Sequence, residues 1–137
     1  MPISDIVGLR TAVDNVLADT EIYARHAKIA AATREALTKA GLHLYLQSGY
    51  SNTVTVIEVP EGLTDQAILS TMRDKYNVMI SGCFDVLAGK VIRIGHMGEN
   101  ANEADLCMTL AAMDKTFADL GYPLQCSMKE VFLKSLA

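Results

Sequence analysis

Arg93 is the residue of this sequence with the clearest potential for binding chemistry. It lies in the segment 91–96, where Ile92 and Ile94 alternate with it, so Arg93 projects from the opposite face of a predicted strand. A guanidinium binds a carboxylate through two parallel hydrogen bonds, and amino acids and 2-oxo acids both carry that group. The pattern is compatible with a carboxylate-binding arginine and also with a structural arginine that covers a helix or an exposed sheet face.

Several neighbours of Arg93 have both functional and structural interpretations. Lys90 would add positive potential beside the guanidinium, but a solvated loop lysine is the more ordinary interpretation. His96 ends the same segment and is expected to be a hydrogen-bonded histidine at the end of a strand. Gly95 and Gly98 would permit a close backbone approach or a positive φ. Arg93 is therefore the residue of this motif to consider for binding, although its spacing alone favours a structural arginine.

The remaining polar candidates lie in other segments. His26 falls on an apolar helical stripe, which is typical of a core histidine rather than of a ligand. Cys83 has no histidine near it in sequence, so a nucleophilic role is not expected. Ordinary strand-forming residues are the expected interpretation of Ser51, Thr53 and Thr55. The alternative is that they form hydrogen bonds across a domain interface. We therefore expect no catalytic residue in this chain.

Composition and charge exclude several kinds of partner. The chain has 137 residues and a formal net charge of −4, with no run of lysine and arginine, so neither nucleic acid nor an anionic membrane surface is expected. No apolar segment approaches the roughly 20 residues of a membrane span. The three cysteines are far apart, form no metal-ligand spacing and predict reduced thiols. With no signal-peptide pattern at the N-terminus, these features predict a cytoplasmic protein without a metal.

The spacing of apolar residues predicts an α+β fold. Helical periodicity runs from residue 3 to residue 40, as one bent helix or as two helices with a break near Asp19. Alternating or β-branched residues predict strands at 42–47, 53–59, 78–80 and 91–96. Further helices begin after the N-caps Thr64, Asn102 and Ser127. We expect a small mixed or antiparallel sheet with helices packed on one face, preceded by a long N-terminal helix.

Five stretches of the sequence together resemble one protein family. The segment GKVIRIGHMG, residues 89–98, is similar to a stretch near the C-terminus of class V (fold-type I) pyridoxal-phosphate aminotransferases, such as the alanine–glyoxylate, serine–glyoxylate and pyridoxamine–pyruvate enzymes. Four more stretches resemble this family in the same order and spacing: PISDIVGLRTAV (2–13), ARHAKIAAATREAL (24–37), SNTVTVIEVPEGL (51–63) and DKYNVMISG (74–82). The resemblance covers residues 2 to about 121 and corresponds to the family's C-terminal small domain.

The resemblance implies a division of the chain and a role for Arg93. Residues 41–121 would form the small domain, after a long N-terminal helical segment (1–40) and before a C-terminal helical tail (122–137). Arg93 stands where the family's arginine binds the substrate carboxylate. The loop SGCFDVLAG departs from the family, in which this loop is rich in glycine, and Phe84 and Asp85 would alter the substrate entrance.

The family's cofactor is pyridoxal phosphate, which the large domain of these enzymes holds through a lysine and an aspartate. A Schiff-base lysine needs a desolvated pocket, whereas most of the seven lysines here are predicted on the polar sides of helices. We therefore expect no cofactor to be bound by this chain alone. The resemblance implies the small domain or subunit of an aminotransferase for small amino acids and 2-oxo acids, as a homo-oligomer or with a separately encoded large domain.

The alternative function is a non-catalytic, dimeric interaction or regulatory module derived from the same domain. Some class V relatives carry the name of a soluble hydrogenase subunit. Hydrogenase chemistry would need clustered cysteine ligands, and the three cysteines of this sequence are not clustered. The name therefore does not lead to a hydrogenase hypothesis for this chain.

Overall fold

A computed structural model of the chain describes residues 2–137 and shows the α+β class that the sequence predicts. Within these residues, two strands and five α-helices occur in the order α1 Ile3–Ala18, α2 Ile22–Lys39, β1 Val54–Glu58, α3 Asp65–Tyr76, β2 Val91–Gly95, α4 Glu103–Asp119 and α5 Met128–Leu136. Short 3₁₀ turns occur at Asp85–Leu87 and Gly98–Asn100. None of the helices described is long and apolar enough to span a membrane.

The N-terminal helical segment consists of two helices, α1 and α2, rather than one long helix. Asp19 lies in the break between them, and its carboxylate accepts a hydrogen bond of 2.6 Å from Nη2 of Arg25. Every residue of α1 is exposed, whereas α2 buries one face that includes His26, Ile29 and Leu37. The first helix therefore makes no buried contact with the rest of residues 2–137.

The sheet has two strands where the sequence predicts four. β1 and β2 pair antiparallel over all five residues of each strand. The predicted strands 42–47 and 78–80 are wrong as strands. The first is reduced to one bridge, Leu44 with Ile57, and the second has no pairing within 78–80, since its bridge lies one residue later, at Ser81 with Arg93. The first segment bends away after residue 44, which leaves Leu46 45% exposed. The second segment follows directly after the end of α3, so few residues remain for a longer ladder.

One hydrophobic core joins the sheet to the helices. Ile57, Ile92 and Ile94 contribute to it from one face of the sheet, together with buried residues of α2, α3, α4 and α5. Met128 and Phe132 of α5 are completely buried in the same core. Full burial of one such side chain stabilises a fold by roughly 1.5–3 kcal/mol. The C-terminal segment is thus packed together with residues 41–121. The division of the chain into the segments 1–40, 41–121 and 122–137 stays a prediction.

The predicted N-caps of α3, α4 and α5 are confirmed. In each case the side chain accepts a hydrogen bond from the backbone N–H three residues later, at 3.1 Å for Thr64, 2.8 Å for Asn102 and 3.3 Å for Ser127. A helix leaves its first N–H groups without partners, and a capping oxygen satisfies one of them. These side chains therefore determine where the three helices begin.

Candidate substrate-carboxylate site

The outer face of the sheet carries the candidate site. Along β2, Ile92 and Ile94 belong to the core, and Arg93 lies on the opposite face, as the alternation in the sequence predicts. The strand register places Val56 opposite Arg93 on one side and Ser81 opposite it on the other. Directly opposed residues of antiparallel strands share a face, so Val56, Arg93 and Ser81 form a row across the sheet.

Backbone and side-chain contacts both hold Arg93 to the segment beside β2. Arg93 and Ser81 exchange two backbone hydrogen bonds, of 2.6 and 3.1 Å. Nε of Arg93 donates to the carbonyl oxygen of Gly82 at 2.8 Å, and Cζ lies 5.9 Å from the centroid of the Phe84 ring. Among residues 2–137, no carboxylate lies within ion-pair distance of this guanidinium. Its terminal groups, Nη1 and Nη2, are therefore available to an external carboxylate.

The other arginines of the chain already have internal partners. Arg34 lies with its Cζ 4.6 Å from the Tyr50 ring centroid and donates to the carbonyl oxygen of Ser51 at 3.3 Å. The remaining three form ion pairs with aspartates: Arg10 with Asp14, Arg25 with Asp19 and Arg73 with Asp74. Arg93 is thus the arginine on a strand, and it has no anionic partner among the residues described.

The loop from Ser81 to Lys90 has a fixed start and an exposed tip. A Cβ atom on Gly82 would lie 3.5 Å from a carboxylate oxygen of Asp65, so the start of the loop packs closely on α3. Phe84 is 77% exposed, and Asp85 after it has a positive φ of 50°. Such a backbone conformation is unfavourable for most L-residues and easy for glycine. The loop therefore holds Asp85 in a backbone conformation that glycine adopts more easily.

Two buried histidines tie the chain after β2 to its neighbours. Nδ1 of His96 donates to the carbonyl oxygen of Asn52 at 3.1 Å, so Nε2 accepts the hydroxyl proton of Thr55, at 2.8 Å. Burial lowers the pKa of His96 below its ordinary value, which favours this neutral form. Nε2 of His26 accepts the backbone N–H of Gly98 at 3.0 Å. The interpretation of both histidines as hydrogen-bonded structural residues is confirmed.

The other candidate residues that the sequence predicts are not part of the site around Arg93. Lys90 is exposed in the loop, and Cys83 is a half-buried free thiol. Ser51 and Thr53 share a hydrogen bond of 2.7 Å with each other. No group of histidine, cysteine and acidic side chains in residues 2–137 is arranged to hold a metal ion. The site at the outer sheet face is thus formed by Arg93 and the segment beside it.

Ser81 and Gly82 are partners of Arg93 that the sequence pattern does not predict. The predicted strand ends at residue 80, so both residues fall into the loop that follows. Gly82 and Arg93 are eleven positions apart, and their contact depends on how the loop between them folds. No local spacing in the sequence marks such a contact.

The residues described here do not by themselves fit pyridoxal phosphate. A lysine that holds this cofactor needs desolvated surroundings. All seven lysines of this chain are exposed: Lys28, Lys39, Lys75, Lys90, Lys115, Lys129 and Lys134. No step of a reaction through the cofactor can therefore be assigned to these residues.

Comparison with known proteins agrees with this fold. No protein-family model matches the chain. The crystal structure of pyridoxamine–pyruvate aminotransferase from Mesorhizobium loti has a TM-score of 0.92 and 31% sequence identity, and the match covers 98% of this chain and 36% of that one. The architecture is therefore that of one part of an aminotransferase.

Relatives in sequence show the aminotransferase family to which the chain belongs. The serine–glyoxylate aminotransferase of Arabidopsis thaliana is 37% identical over 123 residues, which are 87% of this chain and 30% of the relative. The chain is a homologue of the class V aminotransferases, and its fold is consistent with their C-terminal small domain. It spans about 30% of the length of the curated relatives that it matches.

One relative carries a different name. A protein of Synechococcus sp. (strain PCC 6716), called soluble hydrogenase, small subunit, is 28% identical over 123 residues, 88% of this chain and 32% of the relative. The three cysteines of this chain are free thiols, and none belongs to a cluster of possible metal ligands within residues 2–137. The described residues therefore offer no support for hydrogenase chemistry.

Proposed function

We propose that this chain is the small domain of a pyridoxal-phosphate-dependent aminotransferase for small amino acids and 2-oxo acids, and that Arg93 binds the substrate carboxylate. The observation that supports this role is the guanidinium of Arg93, which is anchored through Nε and keeps Nη1 and Nη2 without an anionic partner in residues 2–137. A planar guanidinium forms two parallel, charge-assisted hydrogen bonds to a carboxylate. Two relatives are named for glyoxylate and pyruvate, which are short 2-oxo acids.

In this proposal a large domain supplies the cofactor site. The exposed lysines of the chain are unsuited to hold pyridoxal phosphate, so the Schiff-base lysine comes from the large domain, in the same or in a separate polypeptide. The cofactor, once bound there, supplies the electron sink for transamination. The chain alone is expected to be inactive, and the whole protein is expected in the cytoplasm.

Helix α1 is the proposed contact with the large domain. Its apolar residues recur at helical spacing and are all exposed, among them Ile6, Leu9, Val13 and Leu17. Large exposed apolar patches are rare on soluble monomers and mark interaction surfaces. A large domain packed against α1 would remove this surface from water.

Complementation tests this function. The chain is mixed with pyridoxal phosphate alone, and then together with the large-domain segment of a homologous enzyme, and transamination from serine or alanine to glyoxylate is assayed. We expect activity and a cofactor absorption band only when the large domain is present. A saturable band with the chain alone that one lysine substitution abolishes would contradict the proposal.

The exposed face of α1 also favours a second candidate, a non-catalytic module that dimerises through this helix. Sedimentation of Val13→Glu, with Asn15→Glu on the opposite side of α1 as the matched control, separates the two functions. A homodimer that only Val13→Glu dissociates, together with failed complementation, would support the module. Complementation that Val13→Glu weakens would support the aminotransferase.

A further inference from the structure

One hydrogen bond of His26 joins α2 to the turn 98–100, which follows β2. Nδ1 of His26 lies 2.6 Å from the carbonyl oxygen of Ile22, and Nε2 lies 3.0 Å from the backbone nitrogen of Gly98. The N–H of Gly98 can only donate, so Nε2 accepts and the ring proton is on Nδ1, which donates it to Ile22. His26 is 7% exposed, so its two partners hold the buried ring in a single neutral form.

A protonated His26 is incompatible with this arrangement. An imidazolium carries a proton on each nitrogen, so Nε2 would become a donor that faces the N–H donor of Gly98. Turning the ring over does not remove the conflict, because both nitrogens are then donors. Histidine is the side chain whose charge ordinarily changes between about pH 5 and 8. One proton can therefore break the contact between α2 and the turn.

Three carboxylates lie on the elements around His26, and none accepts a hydrogen bond from its ring. Asp19, in the break before α2, is paired with Arg25 at 2.6 Å, and its pKa is lowered mainly by this hydrogen bond and also by the positive charge of His26. Glu99 is exposed in the turn, and Glu103 of α4 lines the same groove as Arg25. In residues 2–137, the ring has only its two backbone partners. A protonated His26 therefore needs a new acceptor at Nε2.

Cations also lie on the elements around the ring. Burial is the main cause of the lowered pKa of His96 at the end of β2, and the positive charges of Arg34 and His26 lower it further. Arg25 and Lys28 lie on α2, on the same helix as His26. Protonation of one buried histidine therefore opposes protonation of the other.

The peptide group between Met97 and Gly98 can supply the acceptor. In a trans peptide the carbonyl points away from the N–H, and here the Met97 carbonyl accepts one long bond, of 3.3 Å, from Asn100. Met97 has a ψ of 145° and Gly98 a φ of 63°, as at the centre of a type II turn. Rotation of the peptide group by about 180° gives the negative φ of a type I turn, and glycine adopts both signs. The rotation would place the carbonyl oxygen where the N–H of Gly98 now meets Nε2.

The far end of the turn is fixed by groups that do not titrate. The carbonyl of Gly98 accepts the N–H of the buried Ala101 at 3.1 Å, and Nδ2 of Asn102 donates to the carbonyl of Glu99 at 2.7 Å. The side chain of Met97 is 66% exposed, so no core contact opposes a movement there. The rotation can therefore stay confined to the peptide group between Met97 and Gly98.

We propose that His26 is a proton-dependent switch for the backbone at the end of β2. Neutral His26 holds the N–H of Gly98. When His26 takes up a proton, the peptide group between Met97 and Gly98 rotates, and its carbonyl oxygen accepts the new N–H at Nε2. The switch changes the backbone just beyond the strand that carries Arg93, and it does not depend on what Arg93 binds.

Nuclear magnetic resonance of the full chain between about pH 5 and 8 tests the switch. The ¹⁵N signals of the His26 ring, the amide signal of Gly98 and the ¹³C signal of the Met97 carbonyl are followed together. We expect all three to change with one common midpoint. The amide of Asp105, which the non-titrating Asn102 holds at 2.8 Å, should not follow that midpoint.

Two glycine variants test the rotation. Gly98 and Gly121 both have a positive φ, of 63° and 71°, and a Cβ atom on either would meet nothing within 4 Å. Alanine disfavours a positive φ, so Gly98→Ala should favour the rotated form and raise the midpoint of the His26 signals by about one pH unit. Gly121→Ala introduces the same strain at the other end of α4 and should leave the midpoint unchanged.

Two histidine variants identify the titrating group. His26→Gln keeps a side chain that can accept the N–H of Gly98 but takes up no proton, so the Gly98 amide should no longer respond to pH. His96→Gln should leave the common response of His26, Gly98 and Met97 in place.

The outcomes decide between a switch and a static contact. If the ring signals titrate while the Gly98 amide and the Met97 carbonyl stay unchanged, the switch is wrong. A ring that stays neutral down to about pH 5 in the folded chain would also overturn it, as would loss of the whole folded spectrum when the ring takes up its proton. If Gly98→Ala moves the midpoint no more than Gly121→Ala does, the rotation is wrong and the switch fails with it.

Discussion

Replacing Asp114 tests how strongly α5 is attached to the rest of the domain. This carboxylate, on α4, accepts three hydrogen bonds at the N-terminus of α5. Its Oδ1 accepts the N–H of Met128 at 2.9 Å, and its Oδ2 accepts the Ser127 hydroxyl at 2.7 Å and the N–H of Lys129 at 3.3 Å. It therefore links two helices that share the core, and it places a negative charge where the helix dipole favours one.

These contacts give the expected loss in the free energy of unfolding. A hydrogen bond to a charged group contributes about 1.5–3 kcal/mol, and the helix dipole adds about 0.3–1 kcal/mol for a charge at the first turn. One of the three bonds is long, and Ser127 keeps its own capping bond to Glu130. We expect Asp114→Ala to lower the free energy of unfolding by about 2–4 kcal/mol, and Asp114→Asn by about 1–2 kcal/mol, since the amide keeps one acceptor.

Urea unfolding followed by far-ultraviolet circular dichroism measures this loss, because the chain has no tryptophan for fluorescence. The matched control is Asp14→Ala on α1, where the carboxylate is 66% exposed and lies 3.7 Å from Arg10. An exposed ion pair of this kind contributes about 0–1 kcal/mol. If Asp114→Ala were no less stable than Asp14→Ala, the view that Asp114 holds α5 to the core would be refuted.

Three further predictions concern Arg93, Thr116 and His96. In a complemented enzyme, Arg93→Ala should lower kcat/KM about 30-fold or more, because truncating one partner of a charge pair costs about 2–5 kcal/mol. Arg93→Lys should restore part of the lost kcat/KM. Lost thermal stability with normal turnover would indicate a structural arginine instead. Thr116→Val should raise the free energy of unfolding by up to about 1 kcal/mol, because the buried Thr116 hydroxyl has no hydrogen-bond partner within residues 2–137. A lower free energy of unfolding in urea would contradict this. Burial lowers the pKa of His96, so the unfolded chain takes up the proton first as the pH falls. The free energy of unfolding should therefore fall below about pH 6.5, by at most about 1.4 kcal/mol per pH unit. Urea unfolding across this range should show a smaller dependence of this free energy on pH for His96→Gln.

Local chemistry in the sequence was sufficient for most of the helices and for the orientation of Arg93. Thr64 and Asn102 cap helices because their oxygens reach a backbone N–H three residues later, a contact within one turn. The alternation of Ile92, Arg93 and Ile94 separates a core face from an outer face whatever the partner strand is. Predictions of this kind depend only on neighbours in the sequence.

The strand predictions at 42–47 and 78–80 failed because pairing is a contact between distant residues. The alternation around Leu44 is that of a strand, yet the chain bends away and keeps one bridge to Ile57. The segment after α3 pairs through Ser81, just beyond its predicted end. A local pattern shows that a segment can be extended, but the length of the ladder depends on where a second segment lies.

By itself, the sequence determined the α+β class, the helix caps, the family resemblance and the outward position of Arg93, because each of these rests on residue types at short, regular spacings. Only the tertiary structure decided that Gly82 occupies Nε of Arg93, that Ser81 lies in the same row, and that α5 is held by Asp114 of α4. These contacts join residues that are eleven or more positions apart, and their geometry follows from the packing of the whole core rather than from any local preference.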